Sequence, residues 1–254
     1  MYHELEVPGR PLCQSEPGYL RYVVKAADFC AQIHWLRQTG WRGISVSEAL
    51  ALQRQNGVHE DKVVAITFDD GCESDLSAAA PALREIGYRA TFYVTVGFLG
   101  KRGHMNESQV RELSASGFEI GCHSMTHPYL PDLSGRELQI EIVQAKEQLE
   151  GIVGKRIEHF SCPGGRCSPR VIEVARNSGY RSVATSSLYR NMPASDVFAL
   201  GRFPIRRELG LASFRDICRG EGLWKMQLRD CFGNVAKHVL GNSIYDRSRA
   251  LLLR

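Results

Sequence analysis

Short apolar runs of strand length alternate along the chain with longer stretches whose apolar residues recur every three or four positions. This βα order predicts a parallel sheet with helices outside it. Seven runs have strand character: Arg42–Val46, Val63–Phe68, Ala90–Val96, Phe118–Cys122, Ile157–Ser161, Arg181–Ala184 and Arg202–Arg206. That number is close to what a sheet needs to close into a barrel. The helices between them are clearly punctuated. Ser134, followed three residues on by Glu137, is a capping box ahead of Leu138, Ile142, Ala145 and Leu149, and Asn106 with Gln109 starts another helix that Gly117 stops. Ser168-Pro169 opens a further helix, ended by Gly179. Phe29, Ile33 and Leu36 form an apolar stripe on a helix before the first clear strand.

At 254 residues, with 43% hydrophobic and 24% charged side chains, the chain has the make-up of one globular domain and not of a disordered or fibrous protein. A formal charge of +4 gives no case for nucleic acid. No apolar run reaches the roughly 18 residues that span a bilayer, and the start is too polar for a secretory leader. As written, the chain is expected in the cytoplasm, with export open if the true start lies upstream. Eight cysteines, at positions 13, 30, 72, 122, 162, 167, 218 and 231, include no Cys-x-x-Cys pair and read as reduced thiols, mostly buried. From about Leu223 the pattern turns helical and basic, through Lys225, Arg229, Lys237, Arg247, Arg249 and Arg254. Residues 221–254 are therefore expected to form a helical extension packed on a barrel of residues 1–220, with weak association with an anionic membrane surface as the other use of such a helix. Oligomeric state is not legible.

Three segments carry chemistry, each just after a predicted strand. The first is Asp69-Asp70-Gly71, following Val63–Phe68. Two adjacent carboxylates at the end of a buried strand repel each other and resist desolvation, so a cation is a natural reason to keep both; an Asp-Gly turn is the plain alternative. The second is His123-Ser124-Met125-Thr126-His127-Pro128 after Phe118–Cys122, where two imidazoles four apart can reach one divalent ion. The third is Cys162-Pro163-Gly164-Gly165 after Ile157–Ser161. A Pro-Gly-Gly loop brings backbone amides close to a ligand and suits an oxyanion, or is simply a strand-to-helix turn. All three fall at the end of the barrel where active sites sit.

Taken together and in this order, Thr67-Phe68-Asp69-Asp70-Gly71, His123-Ser124-Met125-Thr126-His127 and Phe160-Ser161-Cys162-Pro163-Gly164-Gly165 resemble the first three motifs of the polysaccharide deacetylases, carbohydrate esterase family four. Tyr2-His3 and the segment Trp41–Leu50 also resemble the exopolysaccharide-associated members, so that the likeness covers roughly residues 1 to 207. The resemblance implies a distorted (β/α)7 barrel, α/β in class, in a single domain. It implies Zn²⁺, or another divalent transition metal, held by Asp70, His123 and His127, with Asp69 as general base and Pro163, Gly164 and Gly165 against the substrate. The Gly164 amide would help hold the oxyanion. The implied partner is an amino-sugar glycan from which N-acetyl groups are hydrolysed.

The chain also departs from that pattern. Many members carry a late Leu-x-x-His that supplies the acid for the departing amine; here the region reads Arg202-Phe203-Pro204-Ile205-Arg206-Arg207, and the only later histidine, His238, falls in the predicted terminal helix. His3 is the expected substitute. The arginine that many relatives place two residues before the motif-three proline is Ser161 here, so either Arg166 reaches in or Asp69 is held differently. Cys72, Cys122 and Cys162 adjoin the motifs and are expected to be small buried packing residues, with Cys122 on the opposite face of its strand from His123. Two other readings stand beside hydrolysis of an N-acetyl sugar: deacylation of another N- or O-acyl sugar, and a catalytically silent carbohydrate-binding barrel.

Overall fold

The structure, a computed structural model, describes residues 1–54, 62–224 and 227. Its strands are β1 (Leu5–Glu6), β2 (Val24–Lys25), β3 (Arg42–Ile44), β4 (Val63–Ala65), β5 (Thr67–Phe68), β6 (Thr91–Val94), β7 (Glu119–Cys122), β8 (His159–Ser161) and β9 (Ser182–Ala184). β5 to β9 form one parallel sheet in chain order, while β1 pairs with β2 and β3 with β4. The predicted strand Val63–Phe68 is thus two strands serving different sheets. Arg42–Ile44, the observed part of Arg42–Val46, stands outside the five-stranded sheet.

Two irregular segments bend this sheet toward closure. Leu200 bridges Ala184 beyond β9, and the Ile205 amide donates to the Met1 carbonyl at 2.8 Å. Tyr2 in turn bridges Phe68 of β5, its amide donating to Thr67 and its carbonyl accepting from Asp69. The predicted last strand, Arg202–Arg206, is therefore present as a closing segment and not as a regular strand, because Pro204 has no amide to give to a ladder.

Strand alternation sorts the residues of this curled sheet. Phe68, Phe92, Ile120, Phe160 and Val183 are buried toward the helices, where Phe68 stacks on Phe92 at 4.8 Å and on Tyr2 at 5.2 Å, and Phe29 and Phe118 close in edge-on. The intervening positions face the inside of the curl and are polar: Thr67, Asp69, Thr91, Glu119, His123, His159, Ser161 and Ser182, with Tyr93 among them. At the end where the strands begin, the Glu119 carboxylate accepts from the hydroxyl of Thr91 and from the amides of Val46 and Ser47 at 3.1 and 3.3 Å, so it caps the helix Val46–Arg54. His159 bridges Ser47 and Ser182 at 2.8 Å each.

Both capping boxes form, with the Asn106 amide 2.8 Å from Gln109 Oε1 and the Ser134 amide 2.7 Å from the Glu137 carboxylate. Gly117 and Gly179, just past their helices, take the left-handed φ that stops a helix. Among the described residues no helix is long and apolar enough to cross a membrane. Apart from residues 221–224 and 227, the expected C-terminal extension and its membrane-surface use lie outside the described residues, as does Cys231. The other seven cysteines are free, but only Cys72, Cys122 and Cys162 are fully buried; Cys13, Cys30, Cys167 and Cys218 are partly exposed.

Gly121 makes room inside the curl for the Tyr93 ring: a Cβ there would lie 2.4 Å from Tyr93 Cδ1. Gly121→Ala is expected to destabilise the fold by about 1–3 kcal/mol through overpacking. Gly151→Ala, in open space on the helix Ala145–Val153, should stabilise by about 0.5–1 kcal/mol. Urea unfolding of both variants checks the pair; equal effects would contradict this account of the interior.

Candidate metal centre

Asp69 and Asp70 follow β5 directly, where neighbouring side chains would ordinarily point to opposite faces. Asp70 escapes that alternation by taking a left-handed φ of 80°, followed by Gly71 at 79°, and its carboxylate turns to the same mouth as Asp69. The histidine loop after β7 is bent in the same way, with Ser124 at φ 69° and His127 at φ 66°. Non-glycine residues held there cost on the order of 1–3 kcal/mol each, so the surroundings must hold them. Glu141 does much of this. From a π-helical turn at Gln139–Gln144, its carboxylate accepts from the amides of Met125 and Thr126 at 2.9 and 2.8 Å and from the Thr126 hydroxyl at 2.6 Å. Ser124 Oγ accepts from the His127 amide, and the Gly97 amide donates to Met125 at 2.7 Å, where a Cβ on Gly97 would collide.

These loops bring Asp70, His123 and His127 together as a cluster suited to a metal ion. Asp70 Oδ1 lies 3.5 Å from His123 Nε2 and 3.4 Å from His127 Nε2. A tetrahedral ion bound at about 2.0–2.2 Å sets its donors about 3.4 Å apart. The spacing fits. Asp70 Oδ1 is also buried without a hydrogen-bond partner, an orphan that a cation would satisfy. His123 Nδ1 lies 2.8 Å from the Ser161 carbonyl, so that nitrogen carries the proton and Nε2 presents its lone pair. Burial drives the His123 imidazole down to about 4, against the pull of Asp69, which keeps it neutral and able to ligate.

Asp69 is held by different means. Burial pushes its carboxyl up, but the Arg202 guanidinium overrides this, with His123 adding to the effect, and the net result lies well below the usual carboxylate range. Arg202 Nη1 and Nη2 donate to Asp69 Oδ1 and Oδ2 at 2.7 and 2.8 Å, a bidentate pair. Its remaining donors go to Thr185 O at 2.9 Å, Thr67 Oγ1 at 3.3 Å and Ser161 Oγ at 2.7 Å, so all five N–H groups are satisfied. Ser161 donates onward to Asp69 Oδ2 at 3.2 Å.

The question left by Ser161 thus has an answer the sequence reading missed. The cation beside Asp69 comes from Arg202, on the segment that closes the barrel, and Ser161 is small enough to admit it. Arg166 does not fill this role; its guanidinium lies over the Tyr129 ring at 3.6 Å. The available signal was an arginine in the last strand-like segment paired with a small residue where an arginine was expected.

His3 lies one residue beyond the Tyr2–Phe68 bridge, level with Asp69. Its ring leans on Tyr22 at 4.8 Å, its Nδ1 is buried without a partner, and burial lowers its pKa, with Asp70 and Asp69 opposing. Pro163, Gly164 and Gly165 form a tight turn at the same end of the sheet. Gly164 and Gly165 have left-handed φ values of 61° and 68°, and a Cβ on Gly165 would meet Ser186 Oγ at 1.9 Å, so close packing alone already requires glycine there.

The sequence profile of the family described as polysaccharide deacetylase matches residues 56–183. The chain is 34% identical over 125 residues to a chitooligosaccharide deacetylase of Azorhizobium caulinodans, covering 48% of this chain and 58% of that one. It is 32% identical over 129 residues to a peptidoglycan-N-acetylglucosamine deacetylase of Bacillus cereus, covering 50% of this chain and 58% of that one. Both matches span somewhat over half of the relative's own length. The Streptococcus pyogenes deacetylase PplD shares the fold, with a TM-score of 0.75 at 21% identity over 85% of this chain and 95% of that one.

Replacing Arg202 by Met leaves Asp69 buried without its partner, and a loss of about 3–5 kcal/mol is expected. The loss should depend on pH. In the parent chain the depressed pKa of Asp69 contributes stability that is complete above the unfolded value of about 3.9 and lost as pH falls through the folded value. In Arg202→Met, burial dominates and raises the pKa, so the variant's deficit shrinks as the solution is acidified. Urea unfolding of the metal-free proteins across that range measures it, and a deficit independent of pH would count against the pairing.

Proposed function

This chain belongs to the polysaccharide deacetylase family of hydrolases, which remove N-acetyl groups from amino-sugar glycans, and we propose that it does so with Asp70, His123 and His127 holding one divalent ion and Asp69 as general base. The observation that carries this is the spacing of the Asp70, His123 and His127 donor atoms around an unpartnered carboxylate oxygen. A divalent ion, Zn²⁺ or a similar transition metal, supplies Lewis acidity at such a site and lowers the pKa of water toward about 7.

The chain's own residues do the rest. Arg202 fixes the plane of the Asp69 carboxylate and keeps it ionised, so it stands ready to take a proton from the attacking water. A base held this low is a weak one, which makes orientation its main contribution and acidification of the water a necessity. Pro163, Gly164 and Gly165 line the substrate side, with the Gly164 amide available to an oxyanion. His3 delivers a proton to the departing amine. Because burial keeps its imidazole neutral at rest, that proton is one it receives during turnover, with Asp69 as its source. The substrate class is an amino-sugar polysaccharide or glycan precursor.

Acetate release from acetylated chitooligosaccharides tests the reading. Asp70→Asn is expected to lose bound metal, while Asp69→Asn keeps the metal and loses roughly 10²–10⁴ in kcat; equal metal loss in both would contradict the roles. His3→Gln should slow N-acetyl hydrolysis but spare an aryl acetate, whose leaving group needs no proton. Turnover of esters alone would favour deacylation of another acyl sugar, and sugar binding without any acetate release would favour a silent barrel.

A further inference from the structure

A second cluster of metal-type donors lies behind the Asp69-Asp70 loop and has no part in the proposed hydrolysis. Cys13, Cys72 and His104 place two sulfurs and an imidazole nitrogen within 4.8 Å of one another. They come from three separate segments, each independently held. The Cys13 amide donates to both oxygens of the buried Glu4 carboxylate at 3.1 and 3.2 Å, and the Tyr19 hydroxyl braces that carboxylate at 2.9 Å. Cys72 and His104 face each other across an antiparallel bridge. Flanking it, the Glu73 amide donates to Gly103 O at 2.7 Å and the Met105 amide to Gly71 O at 3.0 Å.

Three observations favour a bound cation over mere packing. First, the two sulfurs are 3.5 Å apart, far longer than a disulfide bond and within a few tenths of the separation of about 3.8 Å that a tetrahedral ion with metal–sulfur bonds of about 2.3 Å imposes. Second, His104 Nδ1 lies 3.1 Å from the Arg102 carbonyl. That contact fixes the proton on Nδ1 and leaves Nε2 to ligate, the arrangement common in metal-binding histidines. Third, the surroundings are incompletely satisfied: Asp75, whose amide donates to Cys72 O, is fully buried with no hydrogen bond to either carboxylate oxygen. The backbone has also been shaped to fit. Gly103 has a left-handed φ of 75°, and a Cβ there would lie 2.7 Å from the Cys13 nitrogen, so only glycine lets the two segments close.

We propose that Cys13, Cys72 and His104 form a second metal site, selective for a thiolate-preferring ion such as Zn²⁺, that clamps the loop following Asp70 to the 100–105 turn and to the N-terminal segment. Two thiolates and an imidazole are a softer donor set than the two imidazoles and carboxylate of the first site, and they favour Zn²⁺ over oxygen-seeking ions. Three protein donors leave one position for water on the side where Cys13 and His104 are partly exposed. Binding releases the thiol protons to solvent and changes no oxidation state.

Titration of the reduced full chain with Co²⁺ separates this site from the first, because only thiolate ligands give a sulfur-to-cobalt charge-transfer band in the near ultraviolet. The parent chain should develop that band to saturation at a single equivalent of thiolate-bound metal. His127→Gln should keep it, while Cys13→Ser and His104→Gln should each lose it or weaken it at least tenfold in affinity. Absence of the band in the reduced parent would overturn the proposal, as would a band indifferent to Cys13→Ser. Recovery of a Cys13–Cys72 disulfide that Zn²⁺ fails to prevent would also overturn it. None of these outcomes depends on acetate release, so this site and the deacetylase reading stand or fall separately.

Discussion

The Asp69 carboxylate and the Arg202 guanidinium are buried together inside the curled sheet, and much of the structure follows from keeping them so. Neither group tolerates such a place alone, since desolvation of an unpaired charge costs several kcal/mol. Arg202 lies on the segment between β9 and Met1, so the contact that neutralises Asp69 also draws the two ends of the sheet together. It divides the work of the two adjacent carboxylates as well. Asp69 has a resident cation, while Asp70 faces the imidazoles of His123 and His127 at 3.5 and 3.4 Å and keeps one oxygen without a hydrogen-bond partner.

A sheet with an apolar outer face and a polar inner face provides this environment. Phe68, Phe92 and Phe160 seal the sheet against its helices, and the polar residues on its other face run from Glu119 and His159 at one end to Asp69 and His123 at the other. Regular backbone would not aim the donors at the mouth of the curl. Left-handed turns at Asp70, Ser124 and His127 do so, held from outside by Glu141 and by the close approach of Gly97.

Much of this was legible in the sequence because it rests on local rules. Apolar runs of strand length, capping boxes at Asn106 and Ser134, and clusters at strand ends announced a parallel α/β sheet with its chemistry on one edge. What escaped involves partners far apart in the chain. Asp69 and Arg202 are 133 positions apart, and no local pattern links an arginine near a proline to a carboxylate in another strand. Glu141 falls between the apolar positions Leu138 and Ile142 of a predicted helix, and a π-helical turn leaves no mark in hydrophobic spacing. Val63–Phe68 read as one strand because periodicity cannot show that pairing changes sheets at Ile66. Cys72 was expected to be a packing residue, and it is buried as such; that Cys13 meets it across 59 residues is a tertiary fact.

The central claim is that Asp70, His123 and His127 share a single ion while Asp69 remains bound to Arg202. Anomalous diffraction at the zinc edge, from crystals grown with Zn²⁺ and acetate, tests it most directly. The account requires an anomalous peak within bonding distance of Asp70, His123 and His127, with both Asp69 oxygens still on the guanidinium. A peak ligated by Asp69 in place of Asp70, or no peak between these three side chains at saturating metal, would contradict it.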